Sequence, residues 1–169
     1  MSDLGRVGDL ELDEDEGFLR REWKAERVGW LTMAGILGLA LLGVFGSGPL
    51  AEANAGGDGP LAVRYARFAR TQAPTILRLR YDAGAVGADG RVRLVLDRGF
   101  VEAVQIEHIT PQPERAVAEP GRVVYVFAAE PAAAGEVTFH ARFERFGVIR
   151  GAAGLADRPP VRFTQWVHP

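Results

Sequence analysis

The stretch TILRLRYD, residues 75–82, alternates its side chains. Leu77, Leu79 and Tyr81 fall on one side, Arg78 and Arg80 on the other. A repeat of two is that of a pleated strand, whose successive side chains point to opposite faces. The pattern returns in RVRLVLD, residues 91–97, with Val92, Leu94 and Leu96 inward and Arg91 and Arg93 outward. Between them Ala88-Asp89-Gly90 has hairpin-type turn chemistry. This hairpin puts Arg78, Arg80, Arg91 and Arg93 on one outer face, near Arg64. Like charges facing each other on a sheet call for interleaved acids or an acidic partner. The five arginines are therefore a candidate docking face for an acidic protein surface or lipid headgroups.

The same reading extends in both directions. LAVRYAR (61–67), VEAVQIEHIT (101–110), RVVYVFA (122–128), EVTFHARFE (136–144), GVIRGAAGL (147–155) and VRFTQWVH (161–168) are further strand candidates. In EVTFHARFE, Val137, Phe139, Ala141 and Phe143 point inward, and His140 lies outward beside Thr138 and Arg142. Asp97-Arg98-Gly99, Pro111, Pro113, Glu119-Pro120-Gly121 and Asp157-Arg158-Pro159-Pro160 punctuate the series. Seven to eight short strands with turn residues between them predict a mainly β domain over residues 61–169. An immunoglobulin-like β-sandwich is the expected architecture and a small barrel the alternative.

Residues 47–60 are rich in Gly and Pro and read as a linker. Ahead of them, VGWLTMAGILGLALLGVFGSGPL (28–50) runs without a charge. A bilayer core of about 30 Å needs roughly 20 apolar helical residues. The expectation is one membrane-spanning helix, with its juxtamembrane part, over residues 18–46. Arg20, Arg21, Lys24 and Arg27 crowd its entrance, and no basic residue follows before Arg64. The positive-inside rule then places residues 1–27 in the cytoplasm and the β domain in the periplasm. Trp23 and Trp30, seven apart, suit the headgroup belt. Ala34, Gly35 and Gly38, beside Leu31 and Leu42, form a small-residue face on which a second membrane helix can pack. Ala53-Asn54-Ala55 has the form of a signal-peptidase site. The long lead and long apolar stretch favour an uncleaved anchor instead.

Residues 1–17 form an acidic tail containing Asp13-Glu14-Asp15-Glu16. They have too little apolar surface to fold alone. Charge is uneven: five basic against nine acidic side chains in residues 1–27, and fifteen Arg against eleven acids in residues 61–169. There is no Cys, which removes disulfides, thiolate catalysis and thiolate metal sites. The only serines are Ser2 and Ser47, so the β domain has no Ser triad. His108, His140 and His168 are well separated along the chain, and no Gly-rich phosphate loop joins a strand to a helix. No cofactor, metal or catalytic residue is expected, and the chain does not read as an enzyme. No aromatic side chains interleave the arginines to stack bases, so nucleic acid is not an expected partner.

Arg21-Glu22-Trp23, Glu26-Arg27-Val28-Gly29-Trp30, Phe45-Gly46-Ser47-Gly48-Pro49-Leu50 and the closing Arg162-Phe163-Thr164-Gln165-Trp166-Val167-His168-Pro169 together cover about forty residues. In these the chain resembles bacterial single-pass inner-membrane proteins with a small extracytoplasmic β domain. The resemblance implies topology and a small outer domain, with no activity and no site residues. The expected role is a non-catalytic accessory or scaffold subunit. Its partners would be an integral membrane protein complex and the lipid bilayer. The alternative is a periplasmic sensor or ligand-binding module that signals through the acidic tail.

Overall fold

The computed structural model describes residues 16–41, 51–57 and 59–169. They fall into two compact units, divided between Leu39 and Ala40.

The first unit holds all but the last two residues of a helix, α1 (Glu16–Leu41). It contains Arg20, Arg21, Trp23, Lys24, Arg27 and Trp30, the expected interface residues. The Arg27 guanidinium lies 3.6 Å from the Trp23 ring centroid. The Thr32 hydroxyl donates to the Val28 carbonyl at 2.8 Å. Ala34 and Leu31 are exposed, and a Cβ at Gly35 or Gly38 would meet nothing within 4 Å. Leu42 and the acidic run Asp13–Asp15 lie outside the described residues. Of the uncharged stretch, α1 carries Val28–Leu41, roughly 21 Å of helix at about 1.5 Å per residue. Among the described residues no helix is long and apolar enough to cross a membrane.

The second unit is mainly β. Its strands are β1 (Glu52–Ala55), β2 (Leu61–Ala66), β3 (Phe68–Arg70), β4 (Pro74–Tyr81), β5 (Arg91–Asp97), β6 (Val104–Thr110), β7 (Arg115–Glu119), β8 (Arg122–Ala128), β9 (Gly135–Phe143), β10 (Gly147–Leu155) and β11 (Val161–His168). One turn of helix, α2 (Arg98–Val101), follows β5. The first sheet has the order β1-β2-β4-β9-β6 and the second β3-β11-β10-β5-β8-β7. All pairings are antiparallel except β3 with β11. The sheets pack face to face over one core. Leu77, Leu79, Val137, Phe139 and Phe143 come from the first sheet, and Val92, Leu94, Leu96, Phe127 and Phe163 from the second. Tyr125 meets Phe139 edge-on across the core, centroids 5.3 Å apart. The alternation in 75–82, 91–97 and 136–144 therefore placed the inward residues correctly.

Four expectations change. The segments 75–82 and 91–97 are not a hairpin: β4 and β5 belong to opposite sheets. A tight hairpin joins strands separated by two residues. Here the chain makes a 3-10 turn at Ala83–Ala85 and crosses between layers. The turn at Asp89–Gly90 serves β5 locally, with the Gly87 N–H donating to the Arg91 carbonyl at 2.8 Å. The linker predicted over 47–60 contains β1, which pairs with β2 and buries Ala53, the first residue of the Ala53-Asn54-Ala55 motif. Asp97-Arg98-Gly99 opens α2, with the Asp97 carboxylate accepting from the Phe100 N–H at 3.1 Å. Finally, the strand sequence is only partly that of an immunoglobulin domain. Variable immunoglobulin domains add two strands to the second sheet before a strand returns to the first. In this chain β6 joins the first sheet before β7 and β8 join the second.

Candidate functional site

The concave site of the β domain arises where β2 leaves its sheet. The β2–β4 ladder runs from Leu61↔Tyr81 to Tyr65↔Leu77 and stops. The chain then crosses at Arg67 and enters the second sheet as β3, parallel to the end of β11. β4 continues for three more residues, Pro74–Ile76, paired only on its β9 side. The gap is a groove of about 360 Å³, within the range of small-ligand sites.

Its lining is apolar with a basic rim. Tyr65, Phe68, Pro74 and Ile76 contribute apolar surface, and Arg64, Arg70 and Arg78 contribute charge. Arg64 and Arg78 sit directly opposite each other in the ladder. Such a pair is destabilising by roughly 0.2–1 kcal/mol unless acids intervene. Glu52 supplies one: it accepts from Arg64 Nε at 2.6 Å. Arg78 is held more loosely, 3.9 Å from Glu136. Arg70 has no ion-pair partner among the described residues. With Glu52 counted, the groove has a net charge of about +2 at neutral pH. Thr75 also contributes to the lining, but its hydroxyl falls on the Leu77 side of β4, buried and without a hydrogen-bond partner. A buried hydroxyl left unpaired costs about 1–3 kcal/mol.

The far wall is fixed by hydrogen bonds. Both the N–H and the hydroxyl of Thr71 donate to the His168 carbonyl, each at 2.8 Å. The Gln72 N–H donates to the Phe143 carbonyl at 3.0 Å and holds Gln72 at φ 62°. Behind the groove lies Gln165, the one buried polar residue among the described residues. Its amide donates to the Ala66 carbonyl at 2.8 Å, replacing the bond that β4 would otherwise make. Gln165 was legible from its inward register between Phe163 and Val167. The groove was not, because nothing in the alternation marks the crossing at Arg67.

The predicted face of five arginines is divided. Arg64, Arg78 and Arg80 lie on the outer face of the first sheet, Arg91 and Arg93 on that of the second. The division follows from the crossing between β4 and β5. Arg91 is bonded to Glu114 at 2.7 Å and Arg93 to Asp89 at 2.5 Å. The hydrogen bond from Arg93 holds the Asp89 carboxyl below its usual range, and the hydrogen bond that Arg91 donates to the Glu114 carboxylate raises Arg91 further. These two arginines belong to local ion pairs and leave the docking face.

His108 and His140 are cross-strand partners on the outer face of the first sheet, ring centroids 6.1 Å apart. His168 belongs to β11 and lies against Phe68 and Trp166 in the second sheet, so the three do not converge. Among the described residues no three His, Asp or Glu side chains gather into a metal cluster.

Fold and site together define a two-sheet β domain with a basic groove, preceded in the chain by a helix whose second half is apolar. The chain matches no protein-family model and no curated protein.

Proposed function

We propose that this chain is a non-catalytic accessory or scaffold subunit of a bacterial inner-membrane protein complex. The helix expected over residues 18–46 is its anchor, the N-terminal tail is cytoplasmic, and the β domain is periplasmic. The observation that carries this reading is the bare apolar surface of α1. Leu31, Met33, Ile36, Leu37, Leu39 and Leu41 are all exposed, which in water would be a large unfavourable patch. Lipid or a second helix would cover it, and the open space at Gly35 and Gly38 admits a close neighbour. Arg80, Arg64 and Arg78 then give the β domain a basic face toward its partner.

Purification in a mild detergent followed by mass spectrometry tests this. A stoichiometric multi-pass protein is the expected companion. A chain released from membranes by alkaline carbonate, or recovered alone, would defeat the proposal. A second reading is favoured by the groove: a ligand-binding or sensor module that signals through the acidic tail. It predicts a cytoplasmic protein bound to residues 1–17, lost when Asp13, Glu14, Asp15 and Glu16 are changed to Asn and Gln.

A further inference from the structure

An aromatic band begins at the groove. Phe68 on β3, Trp166 on β11 and Val148 on β10 are register partners in adjacent strands. Phe68 lines the groove, while Trp166 and Val148 are exposed, as is neighbouring Phe146 at 71%. A basic pocket continuous with an exposed Trp and Phe surface matches the chemistry of a bilayer's interfacial layer. There phosphates accept from guanidinium groups, and an indole keeps its ring in apolar surroundings and its N–H wet.

Chain length adds a second constraint, one that rests on the anchor reading of residues 18–46. Glu52, on the groove wall, stands six residues beyond Gly46, where the expected membrane helix ends. At about 3.5 Å per residue, six residues reach at most roughly 21 Å. A site with a charge of about +2 on so short a tether can reach anionic headgroups, whose field extends about one Debye length from the surface.

We propose that the groove and its aromatic band dock on anionic phospholipid. The lipid phosphate sits among Arg64, Arg70 and Arg78, and Phe68, Trp166 and Val148 lie in the interfacial layer.

The test uses the full chain with Trp23→Phe and Trp30→Phe, which leaves Trp166 as the only indole. It is reconstituted into phosphatidylcholine vesicles with or without phosphatidylglycerol, and quenching of Trp166 by acrylamide is measured. Docking predicts a severalfold lower quenching constant when phosphatidylglycerol is present. The effect should be lost in Arg64→Gln/Arg78→Gln and weakened in Arg70→Gln, each shown by circular dichroism to remain folded. Equal quenching in the two vesicle types overturns the proposal. So does equal shielding produced in phosphatidylcholine vesicles by inorganic phosphate alone, which would assign the groove to a soluble anion. Carbonate extraction of the same vesicles reads the anchor separately. An embedded chain without shielding removes the docking face and keeps the anchor. An extractable chain with shielding does the reverse.

Discussion

Gln165 bears two jobs on one side chain: it bridges the sheets and it satisfies the Ala66 carbonyl where the β2–β4 ladder ends. Gln165→Leu fits the site by volume but leaves that carbonyl buried and unpaired, a loss of about 1–3 kcal/mol. Chemical denaturation should show it as a lower midpoint with an unchanged slope. Gly151 is constrained in a different way. A Cβ there would meet Phe163 Cζ at 2.7 Å and Phe100 Cδ2 at 2.9 Å. Gly151→Ala should cost about 1–3 kcal/mol by overpacking. Tyr125 and Tyr81 give the domain an alkaline limit. Burial raises both phenols above their ordinary 10.0, so the folded state favours the protonated form. Between the unfolded and folded values the unfolded chain binds fewer protons, and stability falls as pH rises. The unfolding midpoint should be level below pH 9 or so and drop above about 10, with a shallower drop in Tyr125→Phe.

At the level of elements, strand alternation carried most of the information. It identified the inward sets of β4, β5 and β9 because burial of one face imposes a period of two. It could not assign strands to layers. The local chemistry of Asp89-Gly90 is that of a turn whether or not the flanking strands pair, and only the nine residues between Tyr81 and Arg91 argued against a tight hairpin. β1 was hidden for another reason. Its partner-facing residues are the small Ala53 and Ala55, and flanking Gly and Pro dominate the composition. β3 and β7 are edge strands of three and five residues, too short to show a period. The Arg64–Arg78 pair is a cross-strand liability that function would explain. Arg78→Gln should raise stability by roughly 0.2–1 kcal/mol in low salt, less in high salt, while abolishing lipid-dependent shielding of Trp166. A variant that weakened both would instead assign Arg78 to the fold.

For the whole molecule, the uncharged stretch and the β domain were legible separately, since length without charge and alternation are independent signals. The groove was not legible, because it is made by a crossing between layers and by residues from β2, β3, β4 and β11 that no local pattern links. A mature chain beginning at Gly56 would lack β1 and Glu52. Arg64 would lose its carboxylate and β2 would become an edge. Such a truncated chain should unfold at lower denaturant than one that keeps residues 51–55, and N-terminal sequencing of the membrane-extracted protein decides which form exists.

The parallel pairing of β3 with β11 sets a timetable for synthesis. Thr71 waits for a carbonyl 97 positions later, and Ala66 for an amide 99 positions later. At roughly 5–20 residues per second a ribosome needs about 5–20 s to supply them. Throughout that interval the groove has no far wall and the domain cannot close. The nascent chain therefore stays open along this edge, and the groove takes its final shape only after β11 has left the ribosome.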